Sequence, residues 1–307
     1  MSDYAVLALG VLCAGGGGEL FVRGLLGLAS WARVPARIAA STLAAFATSS
    51  PELTIAVNSA LAGEPEISLG DALGSNVVNV ALILAIAAVI ARIPAPPETL
   101  RRDFPAALLT PFLVGALAYD GALGRADGVV LLCAFFLWLG GVVAEARRER
   151  ARGAAAPAGD PPSRATLIIV VGLALLVVAG RLVVAGAEGI GARTGTHLFV
   201  IGATLVALGT SVPELAIAVV SQLRRRHDVG LGTILGSNVF NGLFIIAVAA
   251  LIQPIPVAWS AVRVPLAFGV VAVAAILPGR AASIDRRRGV FLVGLYALYA
   301  ATLSVGT

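Results

Sequence analysis

The chain has no lysine, two cysteines, two histidines and little charge of any kind: 13% of its 307 residues are charged, against 59% hydrophobic. Each shortage excludes something. Cys13 and Cys133 stand alone in apolar runs without metal-type spacing, and they read as packed core thiols. The scarcity of charge, with a mean hydropathy of +0.96, excludes an ordinary soluble domain and places most of the chain in a bilayer. Gly-x-Ser-Gly, His-Glu-x-x-His and paired membrane aspartates are all missing, which argues against an enzyme and its cofactors. Because lysine is absent, the net charge of +5 comes from arginine alone. In a soluble chain that balance points to nucleic acid. Here the arginines sit at the ends of apolar segments and act as topology signals, so no nucleic-acid partner is expected. Met1-Ser2-Asp3 has no basic stretch, so the first apolar run is not read as a cleavable signal.

What is present is a set of apolar runs of spanning length, at about 4–30, 35–60, 69–91, 104–119 and 126–146, then about 166–190, 198–221, 230–252, 261–278 and 289–305. About ten transmembrane helices follow, an all-α integral membrane fold. Five helices in residues 1–146 and five in residues 165–307 flank a linker, residues 147–164, rich in Arg, Ala, Pro and Gly. With the N-terminus outside, the inner loops hold seventeen arginines and the outer loops only Arg125, Arg193 and Arg263. The positive-inside rule therefore predicts a multi-pass protein of the cell (inner) membrane, both termini outside and the linker cytoplasmic. An odd number of spans per half makes the halves inverted repeats.

Two stretches carry the duplication. Thr48-Ser49-Ser50-Pro51-Glu52-Leu53 with Leu73-Gly74-Ser75-Asn76-Val77-Val78-Asn79 returns as Thr210-Ser211-Val212-Pro213-Glu214-Leu215 with Leu235-Gly236-Ser237-Asn238-Val239-Phe240-Asn241. Glu52 and Glu214 stand 162 residues apart, as do Ser75 and Ser237, with no gap between them. The copies agree best where they are polar, although a carboxylate inside a membrane segment costs roughly 2.5–3.5 kcal/mol on insertion scales. Proline and hydroxyl residues interrupt the helices there and free backbone carbonyls, which lipid does not tolerate unless protein or a watery cavity surrounds them. Paired broken segments in corresponding halves are a pointer to a transporter's binding site.

Ser75 and Asn79 share a helix face, and so do Ser237 and Asn241. Two-fold pairing would gather two carboxylates and no third, with the hydroxyls of Thr48, Ser49, Ser75, Thr210, Ser211 and Ser237 and the amides of Asn79 and Asn241. Every donor atom is an oxygen, which disfavours zinc and copper. The set suits Ca²⁺, which takes about 6–8 oxygens in a flexible shell, while Na⁺ could share the same oxygens. Small residues also let helices approach, and Asn serves as interhelical glue, so packing is the competing reading for any single Ser or Asn. Glu19 and Arg23, one turn apart, read as an intrahelical pair, and His197 and His227 as solvated loop residues.

These stretches resemble the alpha repeats of the cation/calcium antiporter superfamily, which includes the sodium/calcium exchangers. The resemblance implies a ten-helix fold with ion ligands at the positions above, joined by the carbonyls of Ala45 and Ala207. It also implies that the glycine-rich first and sixth spans slide across the core during alternating access. Several exchangers have Asp where this chain has Asn241. The implied function is a secondary antiporter exchanging Ca²⁺ for Na⁺. An H⁺/Ca²⁺ antiporter is the main alternative, and a passive cation channel the more distant one.

Overall fold

The computed structural model describes residues 3–63, 65–151, 161–194, 210–277 and 282–305. Among these the chain is almost entirely helical. In order come α1 (Asp3–Trp31), α2 (Ala36–Ala39), α3 (Ala45–Thr48), α4 (Ser50–Leu61), α5 (Pro65–Val77), α6 (Ala85–Ile90), α7 (Pro97–Leu117), α8 (Arg125–Ala151) and α9 (Pro162–Thr194). After the undescribed stretch follow α10 (Val212–Leu223), α11 (His227–Val239), α12 (Ile246–Ile252), α13 (Trp259–Ile276) and α14 (Arg286–Val305). Short π-helical segments, Ala40–Ala44, Val78–Leu84 and Phe240–Ile245, join α2 to α3, α5 to α6 and α11 to α12. The last two occupy matching positions in the two halves. Five spans are apolar and unbroken enough to cross a membrane by length and composition alone, among them Pro65–Ile90 and Val229–Ile252. These two are 72% and 83% buried within the protein, against 22–31% for the other three, so they form the centre.

The two halves grip each other through reciprocal contacts. Strand β1 (Ile93–Pro94) pairs antiparallel with β4 (Ser283–Ile284), and β2 (Ala122–Leu123) with β3 (Ile255–Pro256). Arg286 donates to the carbonyls of Val89 (2.8 Å) and Ile90 (3.3 Å) at the end of α6. In the other half Arg125 donates to Leu251 (3.1 Å) and Ile252 (3.5 Å) at the end of α12. Both arginines satisfy the unpaired terminal carbonyls of a helix and complement its dipole. Such an exchange of equivalent contacts is what a two-fold relation between repeats produces.

Helices α1 and α9 pack along each other as a pair. Their apolar cluster, built on Phe21, Leu25, Ile169 and Leu176, is separate from the main core and rests on Ala216 and Ile217 of α10. Their approach is close: a Cβ on Gly172 would fall 2.7 Å from the backbone nitrogen of Phe21. The expected Glu19–Arg23 pair does not form. Glu19 instead accepts two bonds from Arg224 at 2.9 and 2.5 Å, which ties α1 to the end of α10. Nor is His227 a free loop residue: it begins α11 and shares a 2.5 Å hydrogen bond with Gln222. His197 lies outside the described residues.

The two motif glycines meet different surroundings. A Cβ on Gly236 would lie 2.3 Å from the Ser41 carbonyl oxygen, whereas one on Gly74 meets only the Tyr299 hydroxyl at 3.8 Å. Gly236→Ala is therefore expected to lower stability by about 1–3 kcal/mol through overpacking. Gly74→Ala should be neutral or stabilising, because alanine favours the helix. Thermal melting of the two variants in detergent checks this, and equal melting temperatures would contradict it.

Candidate cation site

The site begins with two broken helices. Pro51 and Pro213 stand in the first turns of α4 and α10, where a missing N–H costs nothing. Before each, a serine leaves the helical region in nearly the same way: Ser49 at φ −84°, ψ 13°, and Ser211 at φ −87°, ψ 7°. The turn places Glu52 and Glu214 in the first turn of the restarted helix, facing the centre. They are 1% and 0% exposed. Opposite them run α5 and α11 with the π segments that continue them, which carry Ser75, Asn79, Ser237 and Asn241, all buried. Asn79 and Asn241 sit at the start of the matching π segments. An extra residue per turn shifts the helix face at this depth, and such bulges recur at functional sites.

Glu214 Oε1 accepts hydrogen bonds from Ser49 (3.1 Å) and Ser237 (3.3 Å), with the Thr48 hydroxyl also in reach. One half thus supplies a carboxylate and the other a hydroxyl, the convergence expected from the repeat. Of the nine buried side-chain oxygens that have no hydrogen-bonding partner among the described residues, seven belong to the residues expected at the site. They are both oxygens of Glu52, Oε2 of Glu214, the hydroxyls of Ser75 and Ser211, and Oδ1 of Asn79 and Asn241. Buried polar atoms are nearly always paired, so a group of orphans calls for an explanation. The ion pairs seen among the described residues lie elsewhere, for example Arg37–Glu145 at 3.0 Å and Arg102–Asp103 at 2.7 Å.

The remaining expected residues divide. Thr48 donates to the Ala45 carbonyl at 3.3 Å, and that carbonyl also accepts the Ser49 N–H at 3.0 Å, so Ala45 is already engaged. Thr210 is half-buried beside the break. Ala207 lies outside the described residues.

Three residues escaped the sequence reading. Asn76 and Asn238, the middle residues of the Gly-Ser-Asn motifs, bond to each other's backbone, and Asn238 Oδ1 also accepts from Asn79 Nδ2 at 3.1 Å. Asp71 is the third. Glu52 and Glu214 remain the two fully buried carboxylates of the site, and Asp71 lies outside that pair but within electrostatic reach of both. Its spacing of one turn before Ser75 was the available signal. Among the described residues the three carboxyls do not form a three-carboxylate metal cluster.

Oxygen-only helix breaks in pairs have the donor chemistry to hold a hard cation, and comparison with known proteins shows the family to which such a chain belongs. A family model described as sodium/calcium exchanger protein matches residues 2–144 and 164–305. The chain is 33% identical over 230 residues to the inner membrane protein YrbG of Escherichia coli, covering 72% of this chain and 71% of that protein. It is 23% identical to the sodium/calcium exchanger MaX1 of Methanosarcina acetivorans over 98% of both chains. A solved structure of the sodium-calcium exchanger NCX_Mj soaked with Na⁺ and Sr²⁺ superposes with a TM-score of 0.82 at 27% identity, covering 97% of this chain and 98% of that one. The fold is that of a helical membrane exchanger, and the chain belongs to the sodium/calcium exchanger protein family, a family of transporters and not of enzymes.

Proposed function

We propose that this exchanger moves Ca²⁺ against Na⁺ by alternating access, at a site formed by Glu52 and Glu214 with oxygens of Ser49, Ser75, Asn79, Ser211, Ser237 and Asn241. The observation that carries the reading is the set of seven unpartnered oxygens around two buried carboxylates. Buried carboxylates without a cationic partner are costly, and a cation held in the same cavity offsets that cost. Ca²⁺ accepts about 6–8 oxygens in an irregular shell, whereas Mg²⁺ demands a strict octahedron and sheds water reluctantly. Two carboxylates balance one Ca²⁺ or two Na⁺. A third Na⁺ leaves the loaded site one charge positive. Residues 1–146 and 165–307 act as the two repeats about a cytoplasmic linker, with both termini outside. The α1–α9 pair, with an apolar cluster of its own, is suited to move as a unit against the core.

The test is Ca²⁺ flux in sealed vesicles with the gradients imposed separately. An outward Na⁺ gradient at constant pH should drive Ca²⁺ uptake. An imposed potential of 100 mV should shift the limiting Ca²⁺ ratio by about 50-fold if one net charge moves, the equivalent of about 2.3 kcal/mol. Uptake driven by a pH gradient and indifferent to Na⁺ would replace this reading with proton antiport. Downhill flux without any coupling would replace it with a channel.

A further inference from the structure

Asp71 sits on α5 one helical turn before Ser75 and two before Asn79, on the face that lines the cation site. It is partly exposed, whereas Ser75, Glu52 and Asn79 beyond it are 0%, 1% and 1% exposed. Its carboxylate makes no hydrogen bond or ion pair with any described residue, yet it interacts electrostatically with both Glu52 and Glu214. The space beside it is open, for a Cβ on neighbouring Gly70 would meet nothing within 4 Å. An unpaired carboxylate on a membrane helix does not face lipid; it faces a water-filled path or the bundle interior. Since the three carboxyls form no three-carboxylate metal cluster, Asp71 is not simply another ligand of the buried cation. The next residues along its face are Ser75, whose hydroxyl is buried and unpartnered, and then Asn79 with its free Oδ1.

The equivalent position in the other half carries no such group. The residue 162 positions on is Thr233, fully buried, with its hydroxyl turned back onto the Val229 carbonyl at 2.9 Å. The two repeats therefore differ at this depth, one turn before the motif serine: a carboxylate on α5 and a hydroxyl bonded to its own helix on α11. Helix α5 enters from the side of the turn at Gly63, which the exchanger reading above places outside.

Resting on that reading, we propose that Asp71 forms an outer cation station, present on the external path only, which holds a partly hydrated divalent cation before it passes Ser75 to reach Glu52 and Glu214. Ca²⁺ tolerates mixed shells of water and carboxylate oxygen, so a single carboxylate with waters suffices for a weak, fast-exchanging stop. A carboxylate in a narrow path also raises the local cation concentration, an effect that salt screens.

The test compares wild type, Asp71→Asn and Asp71→Glu in right-side-out and inside-out vesicles. Initial Ca²⁺ rates are measured at low ionic strength and again with added choline chloride. Asp71→Asn should raise the KM for external Ca²⁺ by roughly tenfold at low ionic strength, with the gap narrowing as salt is added. The KM from the internal face should stay within about twofold, and Asp71→Glu should restore the external value. Equal weakening from both faces, or none from either, overturns the station. Equilibrium Ca²⁺ binding to the purified protein needs no transport. It should show a weaker class of site that Asp71→Asn removes and a tighter class that it spares; survival of both classes overturns the proposal. If wild type binds Ca²⁺ in both classes but carries none, the exchanger reading fails and the station stands.

Discussion

Glu52→Gln and Glu214→Gln are each expected to lower Ca²⁺ transport by more than about a hundredfold while inserting and purifying like wild type. A unit cation 4 Å from a carboxylate gains about 4 kcal/mol at an effective dielectric of 20, and a divalent ion gains about twice that. Losing half of the site's charge outweighs any hydrogen bond a glutamine can keep. The fold should not suffer, because no arginine or histidine among the described residues pairs with either carboxylate. A neutral amide in place of a buried, uncompensated charge is no worse for folding. Ca²⁺ should raise the melting temperature of wild type through binding linkage and raise that of each variant much less. The two glutamates are not equivalent. Glu52 keeps both oxygens free, whereas Glu214 has committed Oε1 to Ser49 and Ser237. Glu52 is thus the one able to coordinate through two oxygens, and its variant should lose the Ca²⁺-induced shift more completely. Vigorous Ca²⁺ transport by either variant at normal expression would remove that residue from the site.

Much of this arrangement was legible in the sequence because its physics is local. A proline two residues after a serine, ahead of a glutamate in an apolar run, encodes the break by itself, and Ser49 and Ser211 adopt it within a few degrees of each other. The exact 162-residue spacing likewise foretold that motif residues of both repeats would meet, as Ser49 of one and Ser237 of the other do on Glu214. What stayed hidden depends on which helix faces which. Glu19 has Arg23 one turn away on its own helix but finds Arg224 on another, a choice made by the packing of α1 on α10. The π segments leave no mark in composition, since Val78–Leu84 reads as ordinary apolar helix. Asp71 has no carboxylate at its matching position in the other repeat, so the duplication does not mark it. A residue matched by Thr233 falls outside any list of shared polar positions, although its one-turn spacing from Ser75 was plain.

The middle asparagines show how the same symmetry yields unequal parts. Asn76 Nδ2 donates to the Asn238 carbonyl at 3.1 Å, and Asn238 Nδ2 donates to the Asn76 carbonyl at 3.0 Å, a clasp between α5 and α11. Asn238 has one further bond, accepted from Asn79 Nδ2 at 3.1 Å. Its counterpart, from Asn241 Nδ2 to Asn76 Oδ1, is not made, and both of those atoms, like Asn241 Oδ1, lack partners. On the proposed site Asn238 is a positioning residue: by holding the Asn79 amide nitrogen it leaves Oδ1 without a partner, available to a cation. Asn238→Ala strands the Asn79 donor as well as the Asn76 carbonyl, while Asn76→Ala strands only the Asn238 carbonyl. At about 1–3 kcal/mol for each buried group left unpaired, Asn238→Ala should cost roughly 2–5 kcal/mol and Asn76→Ala about half as much. Melting of the purified variants in detergent reads this difference. Stability alone does not separate a clasp from a positioning role, but Ca²⁺ affinity does. Asn238→Ala should raise the KM for Ca²⁺ severalfold at a temperature where both variants are folded, and Asn76→Ala should not. Equal KM values for the two variants would reduce Asn238 to helix-packing glue and leave Asn79 oriented by the ion alone.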